Sequence, residues 1–102
     1  MFLVLWEFEV KPGTENRFES VYGPGGGWAR LFAQDQAYLE TSLLRDIHRP
    51  GFYLTVDRWE SREAYEQFRQ SHAAEYAALD AECEALTVQE RHIVSCDAEE
   101  KN

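Results

Sequence analysis

The sequence predicts an α+β fold, a four-stranded antiparallel sheet with its helices on one face, and three observations predict it. The opening residues alternate between apolar and mixed positions with a period of two. Two more strand-like runs flank a short turn containing Pro50-Gly51. A long region after Ser61 then carries apolar side chains at helical spacing, followed by a last strand.

In the first strand Phe2, Val4, Trp6, Phe8 and Val10 share one face, and Leu3, Leu5, Glu7 and Glu9 share the other. Lys11-Pro12-Gly13 ends it, because proline cannot donate to the ladder and glycine turns the chain. Thr14 is the expected N-cap of a short helix, with Glu15 in its first turn and the stripe Phe18, Val21, Tyr22. Gly25 to Gly27 break that helix, and Trp28, Leu31 and Phe32 begin another short one.

Strands are expected over 38–45 and 52–60, with 46–51 as the hairpin turn. Ser61 caps the helical region, where Tyr65, Phe68, His72, Tyr76, Leu79, Cys83 and Leu86 form one buried face. It is one helix, or two in series with Ser71 capping the second. Residues 88–96 make the last strand. The order is that of the ferredoxin-like split βαβ fold. The 102-residue chain reads as one domain over 2–96 and an acidic tail over 97–102.

Ten basic against nineteen acidic residues leave a formal charge of −9, which repels phosphate backbones and anionic membrane surfaces. No nucleic acid and no membrane partner are expected. The apolar N-terminus lacks the basic start and cleavage site of a signal peptide, so the expected location is cytoplasmic. Cys83 and Cys96 would stay reduced there, as small apolar fillers. Helices cover one face of a sheet, yet Phe52, Leu54 and Val56 alternate with Tyr53, Thr55, Asp57 and Trp59, and Leu3 and Leu5 lie on the weaker face of the first strand. Both sheet faces are thus apolar, and a second subunit is the simplest cover, predicting a homodimer.

The strand 4–13, Gly23-Pro24 with Trp28-Ala29 and Leu31-Phe32, Tyr38-Leu39, the run 43–46, and Arg58-Trp59-Glu60-Ser61 with Ala64-Tyr65 and Phe68 resemble the antibiotic biosynthesis monooxygenase family. The resemblance runs over residues 2–96. It implies a dimeric α+β barrel, in which two sheets pack together with one pocket per subunit between sheet and helices. It also implies oxidation of a small electron-rich aromatic by dioxygen with no cofactor: a base removes a proton, and the resulting carbanion or phenolate reduces dioxygen. A haem-degrading branch of the same superfamily uses an asparagine on the first strand and a tryptophan and histidine on later helices. Aligned on Trp59-Glu60-Ser61, those helical positions hold Phe68 and Ala78, and the first strand has no asparagine, so haem degradation is not expected.

His72, a titratable ring in an apolar stripe, is the first candidate base; its bland role is a core histidine bonded to backbone. Tyr76 and Tyr65 could orient a phenol or donate to an oxyanion. Asp57 is the second candidate base, inert if it pairs with Arg58 or faces solvent. Trp6, Trp28, Phe32, Trp59, Tyr65 and Phe68 are candidate substrate-binding aromatics, with Trp59 the one most suited to packing. Trp28 would be a lid if the glycine run 23–27 is a hinge, and that run could equally be a slack loop.

No metal site is expected: His48, His72 and His92 form no ligand motif, and His92 and Cys96, sharing a strand face about 13 Å apart, cannot share an ion. Glu75, Asp80, Glu82 and Glu84 read as a solvated helix face. Phosphate-loop, dinucleotide and nucleophilic-serine motifs are absent. The reading from a different class is a non-catalytic dimeric barrel that binds a small apolar ligand or serves a stress response.

Overall fold

A computed structural model describes residues 1–99. The chain runs β1 (Phe2–Val10), α1 (Glu15–Tyr22), α2 (Gly27–Phe32), β2 (Tyr38–Arg45), β3 (Phe52–Trp59), α3 (Arg62–Ser71), α4 (Ala73–Cys83) and β4 (Thr87–Asp97). The sheet order is β2-β3-β1-β4 with every pair antiparallel, so the fold is α+β and ferredoxin-like. The acidic tail expected from residue 97 begins inside β4, and its residues 100–102 lie outside the described residues.

Residues paired across antiparallel strands point to the same side of the sheet, so the register lays the inner face out in rows. Tyr38, Trp59 and Phe2 make one row; Thr41, Asp57, Val4 and Ser95 the next. Leu43, Thr55, Trp6 and His92 follow, then Arg45, Tyr53, Phe8 and Glu90. Large aromatics close the two ends. At one, Phe18 and Tyr22 of α1 pack on Phe8 and Tyr53; at the other, Phe32 and Phe68 pack on Trp59, which is wholly buried. Alongside Leu43, Trp6, His92 and Ser95, the middle rows carry the small side chains Val4, Thr41, Asp57 and Thr55, and the space these four leave is the candidate site.

Several local expectations need correction. Thr14 is the N-cap of α1 as expected, but its one hydroxyl hydrogen is shared between the Lys11 carbonyl at 2.8 Å and the Leu86 carbonyl at 3.1 Å, and the hydroxyl accepts nothing from the helix. The long helical region is two helices, broken at His72, which caps the second; Ser71 ends the first. Ser61 does cap α3, accepting from Ala64 N at 3.1 Å. The glycine run forms a turn in which Gly26 N donates to the Gly23 carbonyl at 2.9 Å. A Cβ on Gly26 would stand 2.2 Å from the Val21 carbonyl oxygen, so only glycine lets the turn close against the end of α1. His92 and Cys96 do not share a face: a bulge at Ile93 adds one residue to β4, so His92 pairs with inward Trp6 and Cys96 with outward Leu3.

On the outer face, Leu44 and Val94 are exposed at 48% and 40%, beside half-buried Leu3, Leu5 and Leu54. Among the described residues no helix is long and apolar enough to cross a membrane.

Candidate active site

The middle rows and the helices enclose about 550 Å³, part of it open to solvent. The floor is the sheet: Val4, Trp6 and Phe8 of β1, Thr41 of β2, Thr55 and Asp57 of β3, and Glu90 of β4. The roof is helical: Tyr22, Trp28, Phe32, Tyr65, Tyr76 and Asp80. Edge-to-face packing of Trp28 on Tyr76, with centroids 4.8 Å apart, joins α2 to α4 across the roof. Among the described residues, no lysine, arginine or histidine lines the cavity.

Asp57 is the chemically distinctive group. Burial raises its carboxyl to about 6, against the opposing hydrogen bond from Thr41 and the more distant charge of Arg58. It does not pair with Arg58, whose guanidinium turns to the outer face and meets Ser42 Oγ at 2.9 Å and Glu40 at 3.5 Å. The Thr41 hydroxyl donates to Asp57 Oδ1 at 2.6 Å, and the Tyr38 hydroxyl lies 2.6 Å from Thr41.

Tyr76 is raised to about 12, first by burial, with the Arg69 guanidinium opposing at 3.9 Å from its ring centroid. Arg69 also donates to the Tyr65 hydroxyl at 3.0 Å. That leaves the Tyr65 hydrogen available to a ligand.

Six of the residues singled out in the sequence therefore meet at one cavity: Asp57, Tyr76, Trp6, Trp28, Phe32 and Tyr65. Three do not. Trp59 and Phe68 are core, at 0% and 1% exposure. His72 lies behind Phe68, its ring stacked on the phenyl at 4.4 Å and 18°, with Nδ1 buried and unbonded. His72 sits at the joint of α3 and α4 and does not line the cavity. Sequence reasoning missed Thr41, Thr55, Tyr22, Asp80 and Glu90. Asp80 carried a signal, since it follows Tyr76 by four residues and shares its helix face. Glu90 and Thr41 required the strand register.

No curated protein matches the chain in sequence. Solved structures match over nearly its whole length. The cofactor-independent oxygenase SnoaB of Streptomyces nogalater superposes with a TM-score of 0.70 at 22% identity, covering 98% of this chain and 94% of that one. A candidate antibiotic biosynthesis monooxygenase of Deinococcus radiodurans reaches 0.75 at 16%, covering 100% and 96%. One from Bordetella bronchiseptica reaches 0.68 at 23%, covering 96% of each chain. At these identities the likeness shows the fold. The family itself is shown by its sequence model, which matches residues 1–79, from β1 into α4. The chain belongs to the antibiotic biosynthesis monooxygenase family.

Proposed function

We propose that this chain is a cofactor-independent monooxygenase that oxidises a small electron-rich aromatic, a hydroquinone or a polyketide-like anthrone, with dioxygen. The observation that carries this reading is Asp57, a carboxyl raised to about 6 by burial on the floor of an aromatic cavity. Such a group is mostly ionised at neutral pH, yet more basic than an ordinary aspartate, which suits it to take a proton from an acidic phenol or activated ring CH. Trp28 and Tyr76 hold the ring, and Tyr65 donates to the oxyanion that develops. The deprotonated substrate supplies the electrons. For a ring CH₂, one oxygen atom becomes the ring carbonyl, and the other leaves with both hydrogens as water.

Asp57, Asp80 and Glu90, with no cationic side chain beside them in the lining among the described residues, favour an uncharged ring over an aromatic carboxylate. Family membership and the likeness to an oxygenase fold support the reaction class. The protein works as a cytoplasmic homodimer: the apolar outer face around Leu44, Leu54 and Val94 needs a cover, and the free thiols Cys83 and Cys96 suit a reducing compartment. Light scattering after size exclusion should read twice the chain mass, and Leu54→Glu should halve it. A wild-type monomer at micromolar concentration would rule the dimer out.

The function is tested by dioxygen uptake with a panel of hydroquinones, anthrones and flavonols. Uptake above autoxidation that disappears in Asp57→Asn establishes both reaction and base. Tight ligand binding with no dioxygen consumed replaces the reading with a non-catalytic binding barrel.

A further inference from the structure

We propose that Tyr38 and Thr41 form a hydroxyl chain that orients Asp57 and carries its proton out of the protein by a route that avoids the cavity. The inference rests on Asp57 being the base. Tyr38 and Thr41 are three residues apart, and in a regular strand they would face opposite sides of the sheet. The bulge at Leu39 puts both on the inner face: Tyr38 pairs with Trp59, and Thr41 with Asp57. Bulges re-aim side chains in this way beside functional sites.

The direction of the chain follows from counting hydrogens. Thr41 has one hydroxyl hydrogen and gives it to ionised Asp57 Oδ1, so Tyr38 must donate to Thr41. This occupies one carboxylate oxygen and leaves the other for the substrate. Once Asp57 is protonated, the chain can run in reverse. A half-turn of the carboxyl brings the protonated oxygen to Thr41; Asp57 then passes that proton to Thr41 as Thr41 passes its own to Tyr38, and Tyr38 releases one to water. Each hydroxyl oxygen gains one hydrogen and loses one, and the carboxylate is restored. Asp57 and Thr41 line the cavity; Tyr38 does not, and it is half-buried at the edge strand β2. A substrate that fills the cavity blocks direct proton exit to solvent and leaves this route open.

Titration of Asp57 by carbon-13 NMR, assigned with Asp57→Asn, tests the chain in the protein without ligand. The other ionisable groups lining the cavity are Tyr22, Tyr65, Tyr76, Asp80 and Glu90, with Arg58 next in sequence, and none of these changes in the variants used. Thr41→Val removes the donor and should raise the Asp57 midpoint by roughly one pH unit, while Thr41→Ser should keep it. Tyr38→Phe touches Asp57 only through Thr41 and should raise the midpoint by about a few tenths of a unit. In dioxygen uptake with 1,4-dihydroxynaphthalene, Tyr38→Phe should lower kcat with KM unchanged. An Asp57 midpoint that Tyr38→Phe leaves in place overturns the chain. Moved midpoints together with an Asp57→Asn protein of undiminished uptake would support the chain's hold on Asp57 and remove the base assignment and the proton exit instead.

Discussion

Asp57 on β3 and His72 at the joint of α3 and α4 are each one titratable side chain in an otherwise apolar run, and the fold treats them in opposite ways. Asp57 stands in a row of small side chains, Val4 and Thr41, and faces open space. His72 stands behind Phe68 and faces a phenyl ring. An apolar stripe tells which side of an element points inward. It does not tell how much lies between that side chain and the cavity. Depth is decided by the size of the residues across the gap, and those come from other elements.

The largest effect expected from this contrast is kinetic. Asp57→Asn should lower dioxygen uptake by about 100-fold or more, the usual worth of a positioned base. His72→Gln should leave it within about threefold. Steady-state rates on one active hydroquinone check both, and a reversed pattern would return the base to the helix joint.

Stability against pH sharpens the comparison further. Asp57 holds its proton to about pH 6 in the folded chain, whereas an ordinary aspartate loses it near 3.8. Between those values the unfolded chain binds fewer protons than the folded one, so this group's contribution to stability falls as pH rises. The loss approaches about 3 kcal/mol and persists above pH 6. Urea unfolding at pH 4 and pH 7 should show wild type losing about 2 kcal/mol relative to Asp57→Asn, since a little of the loss has already occurred by pH 4. Equal changes in the two proteins would mean that Asp57 titrates normally.

The glycine turn shows the same lesson in the backbone. Gly26→Ala forces a Cβ against the Val21 carbonyl and should cost about 2–3 kcal/mol, moving the α2 wall that carries Trp28. Gly25→Ala meets nothing within 4 Å and should stay within about 0.5 kcal/mol. Thermal unfolding of the two variants decides whether the turn is as tightly fitted as its geometry implies.

Local pattern was enough for the fold because each element's signal lies within its own few residues. Period two gave β1 and the pair around Pro50-Gly51, period 3.6 gave the helices, and their order left little choice of topology. The site was legible only in part. Trp6, Trp28, Phe32, Tyr65, Tyr76 and Asp57 could be found from their faces. Trp59, Phe68 and His72 share those faces but lie at other depths. Thr41 and Tyr38 were hidden by the Leu39 bulge, and the inward turn of His92 by the one at Ile93, since each bulge shifts strand parity by one. Parity across a bulge depends on the partner strand, which no single segment encodes.

The smallest effect belongs to His72 itself. Its ring stacks on Phe68, and its buried Nδ1 has no acceptor or donor. An unpaired buried nitrogen costs about 1–3 kcal/mol, while the stacking contributes in the other direction. His72→Phe keeps a ring against Phe68 and removes the unpaired atom, so the two changes should leave stability within about 1 kcal/mol of wild type. Thermal unfolding measures this, and uptake by the same variant should match wild type. A variant that unfolds much more easily would show that the imidazole makes a bond the structure does not contain. A variant that stays stable and loses uptake would place His72 in the chemistry after all, reached from the cavity by movement of Phe68.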